Sequence, residues 1–259
     1  MSYYYLLDHP QVLQYAFYPD GAVSECPEFA FDFTVSVEDY NHISCRFFKG
    51  NRDWPTLLYF HGNGELASDY NQIAPLYFQF VAVNLIVAEF RGYGGSSGYP
   101  TFAGLISDAL PILETAREKV LELGFRDEIW VMGRSMGSVS ALELAGRHGE
   151  KIKGLIIESG FPCATRLARR LQLPVAETDL KVIEKECLEK IRGITLPVLI
   201  IHGEGDSLVA IEEAYTLDRE IGSTEKQLHI VPRADHNSVI AEDLQGYFKV
   251  IKEFIGGKK

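Results

Sequence analysis

At 259 residues, 46% of them hydrophobic and 24% charged, the chain has the size and balance of one large soluble domain with an ordinary core. Its formal charge of −11 argues against a nucleic-acid partner, which needs clustered Lys and Arg, and against an anionic membrane surface. The four cysteines, Cys26, Cys45, Cys163 and Cys187, are scattered without a C-x-x-C pair. Buried thiols in a reducing compartment are therefore expected, not a zinc ribbon or redox pair.

The opening stretch "MSYYYLLDHPQVLQYAF" lacks a basic region ahead of a long apolar run, so it does not read as a signal peptide. No apolar run approaches ~18 residues, so no membrane span is predicted and the cytoplasm is the expected location. Next come "FAFDFTVSV" (29–37) and "HISCRFF" (42–48), rich in aromatic and β-branched residues and joined by the short polar link "EDYN". They predict an antiparallel strand pair.

After Pro55 the pattern changes. "TLLYF" (56–60), "NLIVAEF" (84–90), "EIWVM" (128–132), "GLIIES" (154–159), "PVLIIHG" (197–203) and "KQLHIVP" (226–232) are short, nearly continuous apolar runs. Strands covered on both faces of a parallel sheet have this composition. Most are separated by segments with apolar residues at three- and four-residue spacing: 102–124, 137–149 and 210–222, with 239–256 as a closing helix. Pro111 predicts a kink in the first of these, or a helix start close by. The alternation predicts an α/β class, doubly wound and mainly parallel, with the antiparallel pair at its start. Residues 161–196 carry two helical patterns and no strand, and read as a short cap inserted into a single domain spanning 1–259. Within them "RLARRL" groups Arg166, Arg169 and Arg170, expected to be a solvated helix face.

Two stretches fit Gly-x-Ser-x-Gly: "GGSSG" (94–98) and "GRSMG" (133–137). The bare pattern is weak; a nucleophile elbow also needs a strand directly before the serine and a helix directly after it. Ser135 has both. Ser96 has glycines on one side and Pro100 on the other, which predicts a loop. A serine hydroxyl needs a base, and the base an orienting carboxylate. In a doubly wound sheet these should follow the carboxyl ends of later strands, where Asp206 and His236 stand. Glu158 and Glu204 remain as competing acids. Asp235 is expected to point elsewhere, and His202 and His229, inside or at the end of strand runs, to be structural. No metal-ligand spacing such as H-E-x-x-H is present.

"GNGELA" (62–67) fits G-x-G-x-x-A after a strand, and Glu89 closes the next strand, a tolerable dinucleotide signature. The same glycine turn can equally present N–H donors to an oxyanion.

"LLYFHGNG", "EFRGYGGSSGYPT", "GRSMGSVSA", "LIIHGEGDSLV" and "ADHN" together resemble the α/β-hydrolase superfamily, most closely its small-capped serine hydrolases. The resemblance runs from about residue 29 to the end. It implies that Asn63 and Met136 give backbone N–H groups to an oxyanion hole and that "RGYGGSSG" is a loop near the site. The expectation is a serine hydrolase acting on a small-molecule carboxylic ester or thioester, with Ser135, His236 and Asp206 as its triad and with no cofactor or metal. A catalytically idle binding protein of the same fold and a dinucleotide-binding oxidoreductase stand as alternatives. Peptidase, lactonase and perhydrolase chemistry fit the same motifs.

Overall fold

The computed structural model describes residues 2–257. A short helix, α1 (Pro10–Ala16), leads into β1 (Ala30–Ser36) and β2 (His42–Phe48), which pair antiparallel. Asp39 and Tyr40 turn between them with φ of 60° and 58°. Left-handed backbone at both central positions gives a mirror-image turn, whose twist matches that of the flanking strands.

β3 (Thr56–Phe60), β4 (Asn84–Ala88), β5 (Ile129–Arg134), β6 (Leu155–Glu158), β7 (Val198–Gly203) and β8 (Lys226–Val231) complete one eight-stranded sheet in the order β1-β2-β4-β3-β5-β6-β7-β8. β2 joins β4 antiparallel, and every later pairing is parallel. β3, β4, β6 and β7 are buried at every residue, which is why they read as unbroken apolar runs. β8 is the edge and stays half-buried.

The helices are α2 (Ala74–Phe80), α3 (Phe102–Ser107), α4 (Ala109–Glu122), α5 (Ser138–Arg147), α6 (Thr165–Arg170), α7 (Glu177–Arg192), α8 (Ile211–Glu220), α9 (Val239–Glu242) and α10 (Leu244–Ile255). Alternate strand residues face two separate cores. Leu58 and Phe60 pack with α3, α4, α5, α7 and α8, while Leu57 and Tyr59 pack with α2, α9 and α10. This is the doubly wound arrangement that the alternation predicted.

Two of the helical segments are divided. The segment 102–124 is α3 and α4, which meet at Asp108, whose carboxylate is gripped by Arg91 at 2.6 and 2.7 Å. Pro111 lies in the first turn of α4, where its missing N–H leaves no bond unmade. The closing segment 239–256 is not one helix. Asp243 breaks it and caps α10 by accepting the Gly246 N–H at 2.9 Å.

The interval 161–196 has two helices and no strand. α7 packs between α5 and α8 as the crossover from β6 to β7. α6 instead leans on the loop after β7, where Arg170 donates to the carbonyls of Ser207 and Leu208. Arg166 pairs with Glu213 at 2.9 Å and Arg169 with Glu177 and Glu184. The three arginines thus tie α6 down instead of forming a freely solvated face.

Candidate active site

β5 runs straight into Ser135, which takes φ of 50° and is buried. A left-handed conformation in a non-glycine residue costs on the order of 1–3 kcal/mol and persists only where the surroundings impose it. Here the flanking glycines let them do so. A Cβ at Gly137 would fall on the carbonyl of Phe60 in β3, and one at Gly133 would lie 2.6 Å from the Gly137 oxygen. The elbow is pressed against its neighbouring strand, and α5 leaves from it. Ser138 Oγ donates to the Ser135 carbonyl at 2.6 Å and closes the turn.

The ends of β7 and β8 bring the partners. Ser135 Oγ lies 2.9 Å from His236 Nε2, and His236 Nδ1 lies 2.7 Å from Asp206 Oδ2. The other carboxylate oxygen, Oδ1, accepts the N–H groups of Leu208 at 2.9 Å and Val209 at 2.7 Å. Burial acts to raise the Asp206 carboxyl, but the imidazole hydrogen bond and the Val209 N–H outweigh it and hold it below the ordinary value. An ionised Asp206 places the proton of His236 on Nδ1 and leaves Nε2 to accept from the serine.

The other acids take different work. Glu158 bonds Arg134 Nε at 3.1 Å and accepts from Tyr247 Oη at 2.6 Å. Glu204 is exposed and accepts the Arg233 N–H at 3.3 Å. Asp235 caps its own turn through the Asn237 N–H at 2.9 Å. None of these contacts is to the imidazole. His202 is fully buried. Its Nε2 lies 2.8 Å from the Val209 carbonyl and 3.5 Å from Asp206 Oδ2, and burial lowers its pKa, which keeps the ring neutral. It braces the acid's loop. Ser96 stands outside the cluster, where its hydroxyl accepts the Ser44 N–H at 2.9 Å.

The turn after β3 carries Asn63. Its side-chain oxygen accepts from Tyr93 Oη at 2.5 Å and from the Tyr18 N–H at 3.1 Å, and its amide nitrogen donates to the Ala16 carbonyl at 2.8 Å. Among the described residues no acceptor takes the backbone N–H of Asn63 or of Met136. Met136 opens a helical turn, where N–H groups have no intrahelical partner.

The dinucleotide reading fails on the same turn. The Gly62 N–H is taken by Glu65 Oε2 at 2.9 Å. Glu89, the acid that would meet a ribose, is buried, lies 2.9 Å from His61 Nε2 and accepts the Ala67 N–H at 2.8 Å. Among the described residues no three His, Cys, Asp or Glu side chains gather as a metal-ligand set, and no helix is long and apolar enough to cross a membrane.

The model of the family described as "Serine aminopeptidase, S33" matches residues 54–176 and 169–243. The chain belongs to that family. It is 32% identical over 210 residues to protein bem46 of Schizosaccharomyces pombe, covering 78% of this chain and 67% of that protein. It is 29% identical to human alpha/beta hydrolase domain-containing protein 17B, covering 86% and 74%. Among solved structures, the esterase Pf2001 of Pyrococcus furiosus superposes with a TM-score of 0.73 at 19% identity, over 92% of this chain and 98% of that one. The α/β-hydrolase fold is therefore shared, and esterases are among its structural neighbours.

Two contributors to the candidate site carry no readable motif, and two more lie inside motifs that do not announce their role. Tyr18 and Ala16 reach Asn63 from an N-terminal segment with little resemblance to the family, and Tyr93 reaches it from the "RGYG" loop. Arg134 is hidden inside the elbow motif as its variable letter. The signal that could have found it is its position, directly beside the candidate nucleophile and on a strand otherwise apolar.

Proposed function

We propose that the chain is a serine hydrolase that cleaves a carboxylic ester or thioester through an acyl-enzyme. The observation that carries this is the unbroken hydrogen-bond chain from Ser135 through His236 to Asp206, on a strained elbow. Ser135 Oγ attacks the carbonyl carbon while His236 Nε2 takes its proton. Asp206 holds the imidazole in the required tautomer and stabilises the imidazolium as it forms. The Asn63 and Met136 N–H groups meet the oxygen as it becomes negative, so they stabilise the transition state more than the ground state. His236 then protonates the leaving alcohol or thiol. Water, activated by the same imidazole, releases the acid and restores the serine.

Family membership and the esterase neighbour support hydrolysis in general. The acceptor-free Asn63 and Met136 N–H groups support acyl transfer in particular. The modest cover over the carboxyl ends of β6 and β7, essentially α6 and its flanking turns, favours short acyl chains over long-chain triglycerides.

Fluorophosphonate labelling followed by peptide mapping is the test. Ser135 carries the label if the reading is right, and a label on Ser96 or on no serine refutes it. A p-nitrophenyl ester chain-length series then checks the acyl preference; a rate climbing steadily to long chains contradicts it. Aminoacyl p-nitroanilides in the same assay separate ester from amide cleavage.

A further inference from the structure

Arg134 immediately precedes Ser135, and its side chain is only 11% exposed. Its guanidinium meets four acceptors on three segments beyond its own strand. Nε donates to Glu158 Oε1 at 3.1 Å and Nη1 to Glu65 Oε1, while Nη2 reaches the His236 carbonyl at 2.8 Å and Asn237 Oδ1 at 2.9 Å. Each acceptor leads further. Glu65 Oε2 accepts the Gly62 N–H at 2.9 Å and Tyr70 Oη at 2.8 Å, so this carboxylate shapes the turn that carries Asn63. Glu158 is braced by Tyr247 Oη, which lies 3.0 Å from Tyr77 Oη. The His236 carbonyl belongs to the backbone of the base itself.

We propose that Arg134 is a positioning residue that sets the relative placement of nucleophile, base and oxyanion turn. This rests on the serine hydrolase reading above. Ser135 is fixed to Arg134 covalently, His236 through its own carbonyl, and Asn63 through the carboxylate of Glu65. One rigid planar group thus touches all three parts of the site without facing the reacting atoms.

The fit is specific to arginine. A guanidinium offers five N–H donors in a fixed fork, whereas an ammonium offers a point charge on a flexible stem. The turn also sits directly on the fork. A Cβ at Gly62 would lie 2.6 Å from Arg134 Nη1 and 2.8 Å from Glu65 Oε1. A staple that served stability alone would not need one arm to end on the backbone carbonyl of the base and another on the carboxylate that binds the oxyanion turn.

The experiment compares wild type, Arg134→Lys and Glu65→Gln on p-nitrophenyl acetate, with thermal unfolding and fluorophosphonate labelling on each. Removing the guanidinium leaves Glu65 and Glu158 without its fork, so Arg134→Lys keeps the charge and loses the geometry. Because misplacement by about 1 Å can cost ~10²-fold in rate, we expect kcat of Arg134→Lys to fall about 10- to 100-fold with KM within about threefold. Glu65→Gln leaves one acceptor oxygen where the carboxylate had two, so it cannot serve both Arg134 and the Gly62 N–H with Tyr70 Oη, and it should lower kcat about fivefold with KM again little changed. It decides the matter alone if Arg134→Lys does not fold. Wild-type kcat in either folded variant, or a loss seen in KM instead of kcat, overturns the inference. A wild-type protein whose Ser135 takes no label overturns the hydrolase reading, and this inference with it.

Discussion

Residues 94–98 and 133–137 share the pattern Gly-x-Ser-x-Gly and use it in opposite ways. In the first, the glycines take the left-handed backbone, with φ of 51° at Gly94 and 77° at Gly98, and Ser96 is left relaxed. In the second, neither glycine has positive φ and the serine carries it, at 50°. Gly133 and Gly137 serve instead as bare surfaces against backbone. The first site lets its serine accept the Ser44 N–H of β2, an interior strand of the sheet. The second forces its serine out of the strand and toward His236. Glycine's two freedoms, positive φ and close approach, thus give a loop in one case and an elbow in the other.

The sharpest way to break this comparison is to remove each hydroxyl. Ser135→Ala should lower kcat on p-nitrophenyl acetate by ~10⁴-fold or more, while Ser96→Ala should stay within about twofold, because its hydroxyl faces no base. Similar losses from both variants would erase the distinction.

The partners sharpen it next. Asp206→Asn should keep the fold, by circular dichroism, and lower kcat by up to ~10⁴-fold through loss of tautomer control. Glu158→Gln touches the imidazole only indirectly, through Arg134, and should cost about tenfold or less. Glu204→Gln should be near wild type. A crippled Glu158→Gln beside an active Asp206→Asn would move the acid to the end of β6.

The glycines come third. Gly137→Ala puts a methyl group onto the backbone of β3, which should destabilise the protein by about 3 kcal/mol or more and abolish labelling. Gly98→Ala meets only the flexible Asn41 side chain, 2.7 Å away, together with an unfavourable φ, and should cost about 1–2 kcal/mol with labelling intact. Denaturant midpoints measure both.

The smallest effect concerns pH. His202 is buried neutral, with its pKa lowered by burial, so the unfolded chain binds that proton first as acid is added. Its contribution to stability is present above an unfolded pKa of about 6.5 and is lost as pH falls through the window below it. Asp206, lowered in the folded state, adds a further loss only below about pH 4. Thermal midpoints should therefore fall between pH 7 and 5 in wild type and fall less in His202→Gln. Equal slopes in the two proteins would show that the burial of a neutral His202 does not set the pH dependence.

Much of this was legible in the chain. The strands buried on both faces had to be continuous apolar runs, and the order Ser135, Asp206, His236 placed three polar groups just beyond three strand ends. The Ser96 decoy could be set aside on neighbours alone, since Pro100 and the close glycines deny it an elbow. What stayed hidden depended on side-chain contacts across the sheet. Asp243 was read as one more helical residue until its carboxylate was seen to cap α10. Arg166, Arg169 and Arg170 looked like a solvated face because their partners, Glu213, Glu177, Glu184 and the Ser207 and Leu208 carbonyls, lie 8 to 47 positions away.

Local periodicity, turn chemistry and the spacing of strands along the chain determined the doubly wound sheet and which loops could meet at its carboxyl edge. Those are short-range properties, set by backbone sterics and by which face of an element shuns water. Tertiary structure alone decided that Glu89 would be spent on His61, that residues 16–18 would clamp Asn63, and that one guanidinium would join the loops around Ser135. Such pairings arise only when the sheet brings distant residues within hydrogen-bond reach, and burial then obliges each polar group to find a partner.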